Sequence, residues 1–137
     1  SSQYPAARVQ ALYSLDQIGK LEVSTLLKAM DDKDSRVRQH AVRLSESRLA
    51  ESAELADALT RMENDVDLGV QLQRAYSLGQ WNDPRTGAAL ASIALRYPDE
   101  RFIQAAAVDP RVQDLQRQRP VQPQIAYQPD LTRTARR

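Results

Sequence analysis

From Pro5 to about Val108, apolar residues recur three or four positions apart in stretches about a dozen residues long. Turn chemistry interrupts these stretches at regular intervals. Such spacing lines one face of a helix, and no stretch shows the sustained alternation of a strand. Aromatics make up 5% of the chain and there are only 4 glycines, which disfavours a β-sandwich or a Gly-rich nucleotide fold. The chain reads as all-α.

The helix signals are specific. Pro5 suits a first helical position, Val9, Leu12, Leu15 and Ile18 form a stripe, and Gly19 suits the left-handed residue after a helix end. A second helix carries Leu26, Leu27 and Met30. Asp34 or Ser35 caps a third, with Val37, Ala41, Leu44 and Leu49 inward. Ser52 caps a fourth that runs to Asn64, with Leu55, Leu59 and Met62 as its stripe. The fifth opens at Asp65–Asp67, turns Leu68, Leu72, Ala75 and Leu78 inward, and closes at Gly79. Asp83-Pro84 opens the sixth, where Leu90, Ile93, Ala94 and Tyr97 face inward before Pro98 stops it. A short seventh presents Phe102, Ile103 and Ala106.

These helices repeat in pairs. Leu12, Ala41, Ala75 and Ala106 fall at equivalent places on every second helix, separated by 29, 34 and 31 residues. A helix pair with a period in the thirties predicts a short α-solenoid, because one pair cannot cover its own apolar face. A non-repetitive helical bundle is the alternative. The first helix reads as the second member of a pair. After Val108 the pattern restarts with Asp109-Pro110-Arg111, matching Asp83-Pro84-Arg85, but Pro120, Pro123 and Pro129 forbid a long helix. The expected organisation is a solenoid over residues 1–108 and an irregular Pro/Gln/Arg-rich tail over 109–137. Six arginines and three aspartates give that tail a formal +3, leaving −2 for the remainder. Val121, Ile125, Tyr127 and Leu131 are its candidate anchors on an acidic surface.

Without cysteine there is no disulfide framework, thiolate zinc site, cysteine nucleophile or covalent c-type haem. A net charge of +1 gives no general drive toward nucleic acid or anionic membrane. No apolar run is long enough for a spanning helix, and Ser1–Pro5 does not read as a signal peptide. His40 stands between Arg38 and Arg43 with no orienting carboxylate nearby in sequence, so a structural role is expected. Asp31, Asp32 and Asp34, and likewise Asp65 and Asp67, precede helices and lack the pattern of a calcium loop. Capping explains them. No catalytic, metal or cofactor set emerges. Arg36, Arg38, Arg43, Arg74 and Arg101 fall on alternate helices and are candidate partner-binding residues on one face of a curved array. Local pairing of Asp34 with Arg38 and of Arg43 with Glu46 is expected to temper that stripe.

The segments Arg36-Val-Arg-Gln-His-Ala-Val-Arg-Leu, Gln71-Leu-Gln-Arg-Ala-Tyr-Ser-Leu-Gly-Gln-Trp and Asp83-Pro-Arg resemble HEAT repeats over roughly residues 6–108. The wording from Arg8 to Glu46 and from Val70 to Glu100 is similar to the HEAT segment of planctomycete-type membrane-bound dehydrogenases. In those proteins a sugar-dehydrogenase-like propeller commonly precedes this segment, and a c-type cytochrome domain commonly follows it. The resemblance implies a non-catalytic scaffold in an extracytoplasmic, periplasmic electron-transfer assembly, with a protein partner or neighbouring domain that can carry cytochrome c. Having no CxxCH, this chain receives none of that family's haem residues. The alternative is a lyase or nucleic-acid-acting enzyme with a concave pocket near Tyr76, Trp81 and Tyr97, although Trp81 and Tyr97 are expected to pack at helix ends.

Overall fold

The computed structural model describes residues 3–106. The tail 109–137, with the candidate anchors Val121, Ile125, Tyr127 and Leu131, lies outside the described residues. So does the restart at Asp109. Among the described residues there are seven α-helices and no strand: α1 Pro5–Gln17, α2 Val23–Met30, α3 Ser35–Ser45, α4 Ala53–Arg61, α5 Leu68–Gln80, α6 Arg85–Arg96 and α7 Arg101–Ala106. Two single turns of 3-10 helix, Glu46–Arg48 and Met62–Asn64, extend α3 and α4.

The helix boundaries follow from caps. Asp34 accepts a hydrogen bond from the Arg36 N–H, Ser52 from that of Leu55, and Asp67 from that of Val70. Each satisfies a donor that the first helical turn leaves unpaired. Gly19 has φ +67°, its N–H donates to the Asp16 carbonyl, and the Lys20 N–H reaches back to Leu15. That left-handed residue ends α1, since a Cβ there would strain the backbone. At the start of α6 the Asp83 carboxylate accepts from the Arg85 N–H at 2.8 Å, and helical structure begins at Arg85, just after Pro84. Ser52→Ala is expected to cost about 1 kcal/mol, read as a lower urea midpoint with an unchanged slope.

Every second helix packs on the next: α1 on α3, α3 on α5, and α5 on α7. Among the others, α2 lies against α3 and α4, and α6 against α5 and α7. One continuous core runs through them. Leu12, Leu26, Val37, Ala41, Val42, Leu55, Leu59, Val70, Ala75, Leu78, Leu90 and Ile103 are all buried in it. The small Ala41 and Ala75 are buried on α3 and α5, which pack against each other.

Three expected inward residues are exposed: Ile18, Leu68 and Phe102. Ile18 falls beyond the last turn of α1, at the cap. On α5 the buried face is rotated relative to the expected stripe and runs through Val70, Gln71, Arg74, Ala75, Ser77 and Leu78. Gly79 does not close this helix, which continues to Gln80. Trp81 and Tyr97 stand at the C-terminal ends of α5 and α6, as expected, with Trp81 buried and Tyr97 partly so. The guanidinium of Arg85 lies over the indole of Trp81, 4.9 Å from its centroid.

Candidate interaction surface

Two acidic turns are built alike. In Asp32-Lys33-Asp34 the first carboxylate accepts the N–H two residues on, at 2.9 Å, and in Asp65-Val66-Asp67 it does so at 3.0 Å. This side-chain turn folds the connection tightly and leaves the second Asp of each to cap the following helix. The first Asp then receives a guanidinium from the preceding odd helix. Arg8 of α1 grips Asp32 with two bonds of 2.9 Å. Arg38 of α3 grips Asp65 through Nε at 2.7 Å and Nη2 at 3.0 Å. Planar two-point pairing is the strong form of this contact.

Both carboxyls titrate below the usual Asp range. Burial pushes Asp32 up, but the Arg8 hydrogen bonds and the Asp34 N–H outweigh it. Burial likewise opposes, and Arg38 with the Asp67 N–H overcomes, at Asp65. Asp32 and Asp65 therefore stay charged to a lower pH than an ordinary Asp.

Arg38, Gln71 and Gln104 also donate to backbone carbonyls that precede α3, α5 and α7 in the chain. Arg38 Nη1 donates to the carbonyls of Asp32 at 2.8 Å and Lys33 at 3.2 Å. Gln71 Nε2 lies within bonding distance of the carbonyls of Met62, Glu63 and Asp65, at 2.8–3.2 Å. Gln104 Nε2 serves those of Ala94 and Tyr97, both at 3.0 Å. Residues 38, 71 and 104 are spaced evenly, on α3, α5 and α7. Three successive odd helices thus reach over the turn before them in the same way.

Arg74 completes this network from inside the core. It is 2% exposed, and its Nε donates to the Leu59 carbonyl at 2.8 Å, its Nη2 to Thr60 at 3.3 Å. A cation at the C-terminal carbonyls of α4 suits the helix dipole. Burial pushes its pKa down to about 10, with Glu63 opposing and Arg96 adding to the shift.

Between the two acidic turns opens a cleft of about 650 Å³. Leu27, Met30, Ala58 and Met62 give it an apolar lining, Arg38 and Asp65 line it too, and Asp31, Arg61 and Val66 are among its exposed lining residues. Val66 is 94% exposed at the tip of its turn.

The arginines singled out from sequence do not make one basic surface. Arg74 is buried and Arg38 is held by Asp65, so neither presents a free guanidinium to a partner. Arg36, not Arg38, pairs with Asp34. Glu46 accepts from Ser77 at 2.7 Å and Gln73 at 3.1 Å, tying α3 to α5. Arg43 is exposed beside a shallow groove that Asp16, Glu46 and Gln80 also line. Arg101 is exposed and lies 6.0 Å from the Phe102 ring centroid. His40 bonds Tyr13 of α1, Nδ1 to hydroxyl at 3.0 Å, with the rings edge to face. That contact links α1 to α3. Among the described residues no three His, Cys, Asp or Glu side chains come together as a metal site, and no helix is long and apolar enough to cross a membrane.

Comparisons of the chain with protein-family models, curated proteins and solved structures give no match.

Proposed function

We propose that this chain is a short α-solenoid of HEAT-like helix pairs and acts as a non-catalytic scaffold for a protein partner or a neighbouring domain. The observation that carries this reading is the repeated turn-capping role of Arg38, Gln71 and Gln104 on successive odd helices. A role repeated along a row suits a stack of equivalent units better than a bundle with a unique centre. Arg8, Arg38 and Arg74, with Asp32 and Asp65, are engaged at turns and helix ends. Among the described residues, the cleft between the acidic turns lies open, lined by apolar and charged residues, with the exposed Val66 beside it. A mixed cleft of this kind suits a polypeptide segment.

The resemblance to the HEAT segment of membrane-bound dehydrogenases supplies the setting: an extracytoplasmic electron-transfer assembly in which the cofactors belong to the partner. The test is size-exclusion co-elution with purified propeller and c-type cytochrome proteins encoded beside this chain. A 1:1 complex is expected, and Val66→Arg should weaken it at least tenfold, roughly 1.4 kcal/mol, without changing the helical signal. Failure to co-elute with every such neighbour would overturn the assembly reading. A complex indifferent to Val66→Arg would move the contact away from the cleft.

A further inference from the structure

Two neighbouring grooves of the molecule are built alike but filled differently. The open cleft lies among α2, α3 and α4, and a second groove lies among α4, α5 and α6. Their linings correspond in register. Met30 precedes Arg38 by eight residues, as Glu63 precedes Gln71, and Asn64 follows Arg38 by 26, as Tyr97 follows Gln71. The second groove leaves no room for a water molecule, whereas the cleft measures about 650 Å³. Two guanidiniums line the second groove. Arg74 serves the Leu59 and Thr60 carbonyls of α4, and Arg96 serves the carbonyl of Glu63 just beyond it. In the cleft the register puts Ala41 in the place of Arg74 and Glu63 in that of Arg96, so neither cation is supplied. The carbonyls in register with those of Thr60 and Glu63 belong to Leu27 and Met30, which line the cleft at the end of α2. Among the described residues no side chain donates to either of them. Asp31, the C-cap of α2, also lines the cleft, is exposed, and makes no ion pair among the described residues.

We propose that the cleft receives an arginine side chain presented by a partner polypeptide, which supplies from outside the guanidinium that Arg74 and Arg96 supply from within the next groove. The proposal rests on the cleft being the partner's site and names the chemistry that site takes. A helix C-terminus favours a cation, and Asp31 adds a full negative charge to it. Arginine offers five donors in a planar fork, enough to serve two carbonyls one turn apart and a carboxylate together, whereas lysine brings a single point of charge. Leu27, Met30, Ala58 and Met62 suit the methylene stem. Arg61 in the lining does not exclude a second guanidinium. In the closed groove Arg96 lies near enough to Arg74 to add to its downward shift, and both are accommodated.

The test is an NMR titration of the isotope-labelled full chain with a blocked Leu-Arg-Leu tripeptide. Its counterparts carry lysine or citrulline, the neutral isostere of arginine, at the centre. The arginine peptide should give saturable shifts at Leu27, Met30, Asp31 and Met62. The citrulline peptide should bind roughly tenfold more weakly, with lysine between the two. Asp31→Asn should weaken the arginine peptide roughly fivefold, with the helical signal unchanged by circular dichroism. Equal binding of the arginine and citrulline peptides, or no saturable shift at these residues, would overturn the proposal. The titration needs no partner protein, so the two readings fail separately. Arginine selectivity with no co-eluting neighbour overturns the assembly reading alone. A partner complex that Val66→Arg weakens, found with no arginine selectivity, overturns this proposal alone.

Discussion

Replacing Arg74 with Ala is expected to lower stability by about 3–5 kcal/mol, the range for breaking a fully buried, hydrogen-bonded charged group. Three losses add. The Leu59 and Thr60 carbonyls at the end of α4 lose their donors, Gln71 loses a neighbour, and a void opens where the side chain lay. In a chain of this size the melting temperature should fall by roughly 10–20 °C. Arg74→Met separates the causes, because it restores most of the volume but no donor. It should recover less than half of the loss. A methionine variant as stable as the parent would mean that the carbonyl bonds contribute nothing net, and that the buried charge only costs.

The second large effect belongs to the Arg38–Asp65 pair. Arg38→Ala should cost about 2–4 kcal/mol at neutral pH, because it strips Asp65 of its partner and also frees the Asp32 and Lys33 carbonyls. A double-mutant cycle with Asp65→Asn should show a coupling of about 1–3 kcal/mol. The sign of its pH dependence is fixed by the depressed Asp65 pKa. A carboxyl that releases its proton more readily when folded contributes stability that is complete above the ordinary Asp value of 3.8. That contribution disappears as pH falls below 3.8 and through the folded value. The gap between the parent and Asp65→Asn should therefore close in acid. A gap that is constant from pH 7 to pH 2 would rule out the ion pair as its source. Asp32 carries the same sign through Arg8, so the two together should make acid unfolding steeper than either alone.

The helices and their caps were legible because they follow local rules. Asp34, Ser52 and Asp67 act within three residues, and Gly19 within its own turn. On α5 the sequence found Ala75 and Leu78 but not the polar part of the buried face. An apolar-only reading selects Leu68 and Leu72 and passes over Gln71, Arg74 and Ser77, which look like surface residues until the carbonyls they serve are in place. Burial there is decided by satisfied hydrogen bonds as much as by apolar area. Nor could local spacing find the ion pairs. The i, i+4 rule joins Asp34 to Arg38, whereas the fold sends Arg38 to Asp65 and Arg8 to Asp32, each across more than twenty residues. Once two odd helices are stacked, a long guanidinium spans from one to the turn beside the other. The cleft follows from the same geometry, since it is the space between two such turns.

The stacked-row reading is tested most directly by distances along the odd helices. Gln10 on α1, Tyr76 on α5 and Ala105 on α7 are exposed and can each be changed to Cys and spin-labelled in pairs. Packed helices lie about 8–10 Å apart, so three steps from α1 to α7 should separate Gln10 and Ala105 labels by roughly 25–30 Å. The Gln10–Tyr76 distance, two steps, should be shorter by about one helix spacing. A Gln10–Ala105 distance equal to or shorter than Gln10–Tyr76 would mean that the helices close into a bundle, and the scaffold account would fail with it.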